Sequence, residues 1–218
     1  DIDAIAATHA FANQHGLMVK ADDGATYYIG GKERTAIIQT DTDFGSATFI
    51  IDDTDVQNRQ AAIFSVSSNL KSFKLKSIDR LSRNQEKIDI SLLGTCLIRV
   101  ANSDIKHYIR FGLNPTKGSS QSDIFMVDKN GHVDMDAPIV WDFNKITSIT
   151  ALPIDEKILN ITGGRFRTVA NKEVSKYNYY SRNISIKRSN VLIDGLEHRV
   201  TGEGDHGAPY GGFITISN

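Results

Sequence analysis

The sequence of 218 residues contains a single cysteine, Cys96. One thiol excludes an intramolecular disulfide and any zinc site built on paired cysteines. The apolar surroundings of Cys96, in the segment LLGTCLIRV, indicate a buried structural thiol. With 40% hydrophobic and 23% charged residues, the chain is long enough to bury a core, either as one large globular unit or as two modest ones.

The chain also lacks an excess of either charge and any long apolar run. A formal net charge of -1 gives no bulk attraction to nucleic acid or to an anionic membrane, so neither is an expected partner. No apolar run approaches the roughly 20 residues that span a bilayer, and the N-terminus has no basic and then apolar secretory signal. The chain begins at Asp1 without a methionine, which suggests a mature exported protein from which a leader was removed.

The local patterns predict one helix followed by many short strands. The segment DIDAIAATHAFANQHG begins with an aspartate cap, continues through alanines and stops at Gly16, where a left-handed C-cap suits glycine. Asn130 and Gly131 stand between apolar flanks and predict a two-residue hairpin. The remaining β-rich runs, separated by polar turns, include TYYIG, TAIIQT, SATFIIDD, AIFSVSS, KIDISLL, TCLIRV and KHYIRFGL. These patterns predict an all-β protein.

Two segments in the last third of the sequence share a pattern. LNITGGRF and VLIDGLEH each begin with an apolar residue, any residue, Ile, a polar residue and Gly, which predicts that Ile161 and Ile193 are in register. A chain that winds three short strands per turn, each turn stacking its inward apolar residues on the turn below, produces this spacing. Asn190 is expected at a bend between strands, because asparagine tolerates left-handed geometry.

The opening of the chain resembles the N-terminal cap and first coil of the pectate-lyase-like right-handed parallel β-helix superfamily. The NISIKRSNVLIDGL run, Asn183 to Leu196, is similar to a later coil of the same superfamily. The resemblance covers about the first 50 and the last 60 residues and implies an all-β, right-handed parallel β-helix with a short N-terminal cap helix and a β-rich insertion. Its matching positions at the start are Asp3, Ala4, Ile5, Ala12, Gly16, Val19, Gly24, Tyr27 or Tyr28, and Ile29.

This interpretation divides the chain into three segments. Residues 1–52 are the cap and first coil, residues 53–146 the insertion, and residues 147–218 further coils. Because a β-helix needs its last turn covered, the final FITISN strand predicts that the fold continues in a longer polypeptide or in a second chain, as in a homo-oligomer. The alternative is a final edge strand covered by a folded-back loop.

The resemblance implies carbohydrate chemistry. Polysaccharide lyases of this kind need a base and a cation to stabilise an enolate, whereas hydrolases need two carboxylates flanking the bond. We expect a secreted, periplasmic or cell-surface enzyme that acts on an acidic polysaccharide or oligosaccharide, a lyase rather than a hydrolase. The alternative is a noncatalytic glycan-binding or structural module of the phage-spike or adhesin type.

The turn-rich segment HRVTGEGDHGAPYGGF, residues 198–213, supplies the candidate site. Its glycines permit close approach of a ligand, although they also suit a structural loop. The sequence leaves both readings open. The candidate catalytic residues are His206, Tyr210 and His198, and the candidate substrate-binding residues in the segment are Arg199, Asp205 and Glu203, with the roles assigned from residue type alone.

Three further groups complete the candidates. Arg165 and Arg167 alternate on one strand face that would suit an acidic glycan, or are solvated charges. The aromatic run from Tyr177 to Tyr180 could stack on sugar rings or pack against a coil. No metal site is predicted. Calcium is the one cofactor considered, through turn aspartates that lack the spacing of a calcium-binding helix-loop-helix and that turn geometry explains more simply: Asp41, Asp43, Asp52, Asp53 and Asp55.

Overall fold

The computed structural model describes residues 1–107, 118–174, 179–203 and 210–217. Over these ranges the chain is mostly β, with one α-helix. The elements in chain order are α1 (Ile2–His15), β1 (Val19–Lys20), β2 (Thr26–Ile29), β3 (Ala36–Ile38), β4 (Thr42–Asp52), β5 (Phe64–Ser67), β6 (Phe73–Lys74), β7 (Cys96–His107), β8 (Ser119–Val127), β9 (Ser148–Pro153), β10 (Leu159–Val169), β11 (Ile184–Lys187), β12 (Val191–Asp194), β13 (Glu197–Thr201) and β14 (Ile214–Ile216).

The chain forms two compact units. Unit 1 comprises Asp1–Asn69 and Asp155–Asn218, and unit 2 comprises Leu70–Ile154. These bounds differ from the segment limits at 52/53 and 146/147 expected from the sequence. Strand β5 pairs with β3 and β11, which assigns it to unit 1, whereas β9 pairs with β7, which assigns it to unit 2.

Helix α1 has one buried face, made by Ile2, Ala6, His9 and Ala12 at helical spacing. It ends at Gly16, which has the left-handed φ of 65° expected at this position. Asp1 occupies the N-cap position, but its side chain makes no cap hydrogen bond. Its carboxylate instead accepts a hydrogen bond from the backbone N–H of Tyr28, at 2.8 Å, and so fastens the start of the helix to β2.

Unit 1 contains two sheets in which every strand pair is parallel. In the first sheet the order is β1-β4-β10-β12, with β2 also beside β4 and β13 also beside β10. In the second sheet the order is β14-β11-β5-β3. Along the chain, strands enter the first sheet and then the second, and this alternation occurs four times.

The repeat expected from the sequence is present in the first sheet. Ile161 of β10 pairs with Ile193 of β12, and Gly195 lies against Gly163. Asn190 has a φ of 53°, the left-handed conformation predicted for the bend before β12. The shared pattern therefore lies at the same position of two neighbouring strands, β10 and β12, of the first sheet.

The core of unit 1 contains a column of aromatic rings. Tyr27, Phe49 and Phe166 are register partners on β2, β4 and β10. The rings of Tyr27 and Phe49 stack with centroids 5.0 Å apart, and those of Phe49 and Phe166 stack at 4.8 Å. These separations match the distance between neighbouring strands, so each pass of the chain adds one ring to the column.

Unit 2 contains an antiparallel sheet with the order β6-β9-β7-β8. Its separate core includes the fully buried Phe143 and Ile139. A hairpin is present at Asn130 and Gly131, and the flanking valines 127 and 133 form an antiparallel bridge. Its loop has three residues, 129–131, and not the predicted two, because the N–H of Asp128 donates to the carbonyl of His132 and the N–H of Gly131 donates to the carbonyl of Asp128. Within the described residues of both units, no helix is long and apolar enough to cross a membrane.

Replacement of Gly163 by alanine tests the close approach of β4 and β10. Gly163 and Gly195 both have a φ of 68°, but a Cβ on Gly163 would lie 2.5 Å from the carbonyl oxygen of Gly45, whereas one on Gly195 meets nothing closer than 3.7 Å. Gly195→Ala should lower the free energy of unfolding by about 1–2 kcal/mol, which is the cost of placing an alanine in the left-handed conformation. We expect Gly163→Ala to lower the free energy of unfolding by at least about 2 kcal/mol more. Equal urea midpoints for the two variants would contradict this reading.

His9 predicts a pH dependence of stability. The residue is 1% exposed, and burial lowers its pKa from 6.5 to about 4. Protonation of His9 favours the unfolded chain, because the imidazole binds a proton more readily there. The free energy of unfolding is therefore unaffected by His9 above about pH 6.5 and decreases by about 3 kcal/mol at most as the pH falls towards 4. In urea unfolding at pH 7 and pH 4, the wild type should lose about that much more stability than His9→Leu. The same loss in both proteins would show that His9 is not responsible.

Candidate functional site

The outward face of the first sheet carries a cluster of arginines. Along β10, Phe166 and Thr168 are buried, and alternation directs Arg165 and Arg167 to the opposite face, where both are exposed. On β13 the same alternation exposes Glu197 and Arg199. Because β10 and β13 are in parallel register, Arg165 neighbours Glu197 and Arg167 neighbours Arg199.

These four residues line a shallow surface groove of about 200 Å³, and Phe166, between Arg165 and Arg167 in the chain, also borders it. We call it the arginine groove. The sequence grouped Arg165 with Arg167 and placed Arg199 in a separate loop, and the structure brings all three onto adjacent strands. Glu197 completes the set, and sequence reasoning missed it because its position depends on the register of β13 against β10.

The charges in the arginine groove are only partly neutralised. Arg165 Nε lies 4.0 Å from Glu197 Oε2, and both side chains are more than half exposed. Neither Arg167 nor Arg199 forms an ion pair with any residue in the described part of the chain. Like charges on neighbouring positions of a sheet repel one another. An anion between Arg167 and Arg199 would relieve that repulsion.

The row that contains Arg167 and Arg199 continues across the sheet. Ile50 of β4 is the register partner of Arg167, and Tyr28 of β2 is the partner of Ile50. Tyr28 is 61% exposed, so its ring is available to solvent. The outward row thus runs from an aromatic ring through an aliphatic side chain to two guanidinium groups.

His198 lies on the opposite face of the same strand. It pairs with the buried Phe166, and its ring stacks on Phe213 with centroids 3.9 Å apart and an interplanar angle of 5°. Its Nε2 is 3.0 Å from Thr168 Oγ1, and burial lowers its pKa. His198 therefore extends the aromatic column of unit 1 and does not enter the arginine groove.

Tyr210 belongs to a buried polar network. Its hydroxyl donates to Asp53 Oδ2 at 3.0 Å and accepts from the backbone N–H of Asn171 at 3.1 Å, and its ring stacks on Tyr180. Burial and the neighbouring Asp53 carboxylate raise the pKa of Tyr210. A phenol whose proton is held in this way is a poor base at neutral pH.

Asp53 is the centre of that network. Arg182 Nη1 donates to Asp53 Oδ1 at 2.5 Å, and Arg182 Nη2 donates to the carbonyl of Gly30 at 3.1 Å. Both side chains are almost fully buried. Burial raises the pKa of the Asp53 carboxyl, and the Arg182 guanidinium opposes that shift. The network joins segments more than 100 residues apart in the chain.

The other candidates are dispersed. Glu203 is exposed beyond the end of β13. Asp205 and His206 lie outside the described residues, as do Tyr177 and its neighbour Asn178. Of the loop candidates that the structure describes, Arg199 alone lines the arginine groove.

The aspartates considered for calcium each have protein partners. Asp43 Oδ1 accepts from Gly45 N–H and Thr162 Oγ1, and Asp52 Oδ1 accepts from Thr54. Within the parts of the chain that the structure describes, no group of three or more His, Cys, Asp or Glu side chains is placed to hold a metal ion. Turn geometry accounts for the hydrogen bonds of Asp43 and Asp52 to the residues two positions on.

The chain has a weak structural similarity to a solved bacteriophage protein. No family model and no curated protein matches the sequence. Among solved structures, the chain matches the Gp54 tailspike of Acinetobacter baumannii bacteriophage AP22, in complex with A. baumannii capsular saccharide, at 13% identity and a TM-score of 0.35. The match covers 90% of this chain and 34% of the tailspike chain, so the chain spans about a third of that protein's length. A TM-score this low does not establish a shared fold.

Tyr210→Phe tests whether the hydroxyl of Tyr210 stabilises the fold. Removal of the hydroxyl leaves Asp53 Oδ2 and the Asn171 N–H without this partner, which should lower the free energy of unfolding by about 1–3 kcal/mol. Tyr28→Phe is the matched control, since it removes an exposed hydroxyl and should change stability by less than about 0.5 kcal/mol. Chemical denaturation of both variants measures the difference. An unchanged midpoint for Tyr210→Phe would mean that the network does not stabilise the fold.

Proposed function

We propose that unit 1 is a right-handed parallel β-helix that binds an acidic glycan on the outward face of its first sheet. The alternation of the chain between two parallel sheets supports the β-helix. Its handedness follows from the general rule that crossover connections between parallel strands are right-handed in about 98% of cases.

The observation that carries the glycan proposal is the pair of exposed arginines on neighbouring strands. Arg167 and Arg199 are register partners and have no described carboxylate within ion-pair distance. A guanidinium group offers a planar pair of N–H donors that matches a carboxylate. Two such groups side by side suit a chain that presents negative charges repeatedly, such as a uronate-containing polysaccharide.

Tyr28 extends this surface with a second kind of contact. The apolar face of a sugar ring packs against an aromatic ring, while its carboxylate remains free for an arginine. Because Tyr28 and the two arginines share one outward row, a glycan lying across the strands could use both contacts. We therefore place the glycan along this row.

We base the proposal of binding on the candidate bases that the structure describes. A lyase needs a base beside the carboxylate-binding groups. Of the described candidates, His198 and Tyr210 are engaged on the interior side, and arginine stays protonated at physiological pH. His206 lies outside the described residues. Glu197 is the titratable carboxyl in the groove, and it lies beside Arg165. We propose a noncatalytic glycan-binding module of an extracellular or surface protein, and lyase activity is the competing outcome.

Arginine substitutions test the proposal. Arg167→Ala and Arg199→Ala should each weaken binding to polygalacturonate or alginate by about tenfold or more, because a hydrogen bond to a charged group contributes about 1.5–3 kcal/mol. Arg167→Lys keeps the charge but loses the paired donors, so its affinity should lie between those of Arg167→Ala and the wild type. Isothermal titration calorimetry at two salt concentrations measures these affinities, and higher salt should weaken binding.

Lys187→Ala is the charge-matched control, because Lys187 is exposed on β11 in the second sheet. It should bind as the wild type does. Equal losses in Lys187→Ala and Arg167→Ala, or equal affinity for neutral dextran, would overturn the proposed surface. Ultraviolet absorbance from new unsaturated ends in the same mixtures would instead identify a lyase.

A further inference from the structure

The outward face of the first sheet changes in charge between β10 and β4. On β10 and β13 the side chains of the arginine groove are three arginines and one glutamate. On β2 and β4 alternation directs five residues to the same face: Thr26, Tyr28, Thr48, Ile50 and Asp52. None of these five is basic. Because neighbouring strands are about 4.8 Å apart, the positive charge ends within one strand spacing.

The row proposed to bind the glycan crosses this change in charge. Arg199 is the register partner of Arg167, Arg167 of Ile50, and Ile50 of Tyr28. The row therefore covers three strand spacings, about 14 Å. One sugar of an extended glycan is similar in length to one strand spacing, so successive sugars along the row lie over successive strands. The sugar over the two arginines is followed by sugars over Ile50 and Tyr28.

The surroundings of Ile50 disfavour a negative charge. Asp52 is exposed on the same face of β4, two residues farther along the strand and about 7 Å away. Hydrogen bonds from Thr54 to its carboxylate lower the pKa of Asp52, which is therefore ionised at neutral pH. The separation is within the Debye length of about 8 Å at physiological ionic strength. A sugar carboxylate over Ile50 would be repelled by Asp52.

Uncharged sugars suit this half of the row. Ile50 is half-buried and Tyr28 is exposed, so both present apolar surface to the C–H face of a sugar ring. Thr48 and Thr26 stand beside them on the same strands and the same face. Their hydroxyls can both donate and accept, as the hydroxyls of an uncharged sugar do. The two halves of the row thus differ in the sugars that they favour.

We propose that this row selects a heteropolysaccharide in which acidic sugars are separated by uncharged ones, in preference to a polymer of uronates alone. The inference rests on the proposed function, because it names the class of acidic glycan that the same surface binds. Arg167 and Arg199 hold the carboxylate of one sugar, and Ile50 and Tyr28 pack against the sugars that follow. Charge density alone predicts the opposite preference, since a uronate homopolymer carries more negative charges per unit length.

Calorimetric titration of the full chain with hexasaccharides tests this preference. Those of hyaluronate and unsulfated chondroitin, in which glucuronate alternates with an uncharged amino sugar, are compared with those of galacturonate and mannuronate. At least one alternating hexasaccharide should bind about threefold or more tighter than both homopolymers. Equal or tighter binding of the homopolymers would overturn this inference and leave the proposed function standing. Binding of none of the four would overturn both.

Asp52→Asn tests the repulsion over β4. The variant should bind hexagalacturonate about twofold more tightly than the wild type does, because the carboxylate near Ile50 is removed. Its affinity for the hyaluronate hexasaccharide should stay nearly the same. Asp194→Asn is the matched control, since Asp194 is exposed on β12 of the same sheet, outside the row. Equal gains in the two variants would show that net charge, and not the position of Asp52, sets the preference.

Ile50→Arg extends the positive charge by one strand. It should strengthen binding of hexagalacturonate about tenfold and so reverse the preference of the wild type, because the second sugar then meets a guanidinium group. Ile50→Leu is the control and should keep the wild-type preference. Unfolding temperatures establish that each variant is folded, and Asp52→Asn decides if Ile50→Arg is not. No gain for hexagalacturonate in a folded Ile50→Arg would overturn the placement of the glycan over Ile50.

Discussion

Stacking in parallel register is the constraint on which unit 1 depends. A residue of β10 lies directly against its partner on β4, so side chains of one kind form columns with the spacing of the strands. Tyr27, Phe49 and Phe166 make such a column inside, and His198 continues it beside Phe213. Each ring gains contact area only if its neighbours are in register, because a slip of one residue would turn every ring outward. The core therefore fixes the alignment of the sheet.

The same register determines the outward surface. Once Phe166 faces inward, Arg165 and Arg167 must face outward, and pairing with β13 brings Glu197 and Arg199 beside them. No separate interaction is needed to assemble the arginine groove, since the interior column already positions it. This explains how an unneutralised pair of arginines persists: the repulsion between Arg167 and Arg199 is small compared with the burial of the rings behind them. The core thus positions the arginine groove, although the groove residues contribute little to the stability of the core.

The sequence predicted what local patterns encode. The helix stop at Gly16 and the bend at Asn190 depend on short-range signals, and the pairing of Ile161 with Ile193 depends on a repeated pattern. All three were confirmed. The pairing of β4 with β10 joins residues on either side of unit 2, and no local signal specifies it. The unit boundaries differ for the same reason, because β5 and β9 are assigned by distant partners. The register between strands that share no repeated pattern was thus the information that the sequence did not supply.

The candidate site illustrates this limit most clearly through two arginines. Arg182 and Arg167 are the same residue type in different environments. Arg182 is buried and donates to Asp53 and to the carbonyl of Gly30. Arg167 is exposed beside Arg199. His198 and Tyr210 were chosen for chemistry that their residue types permit, but a ring stacked on Phe213 and a hydroxyl bonded to Asp53 are already engaged in the fold. The residue type determines which reactions a side chain can take part in, and its hydrogen-bond and packing partners determine whether it is available for them. By that criterion Arg167 and Arg199 are available to a ligand among the described residues of unit 1, which is why we propose that this surface binds an anion.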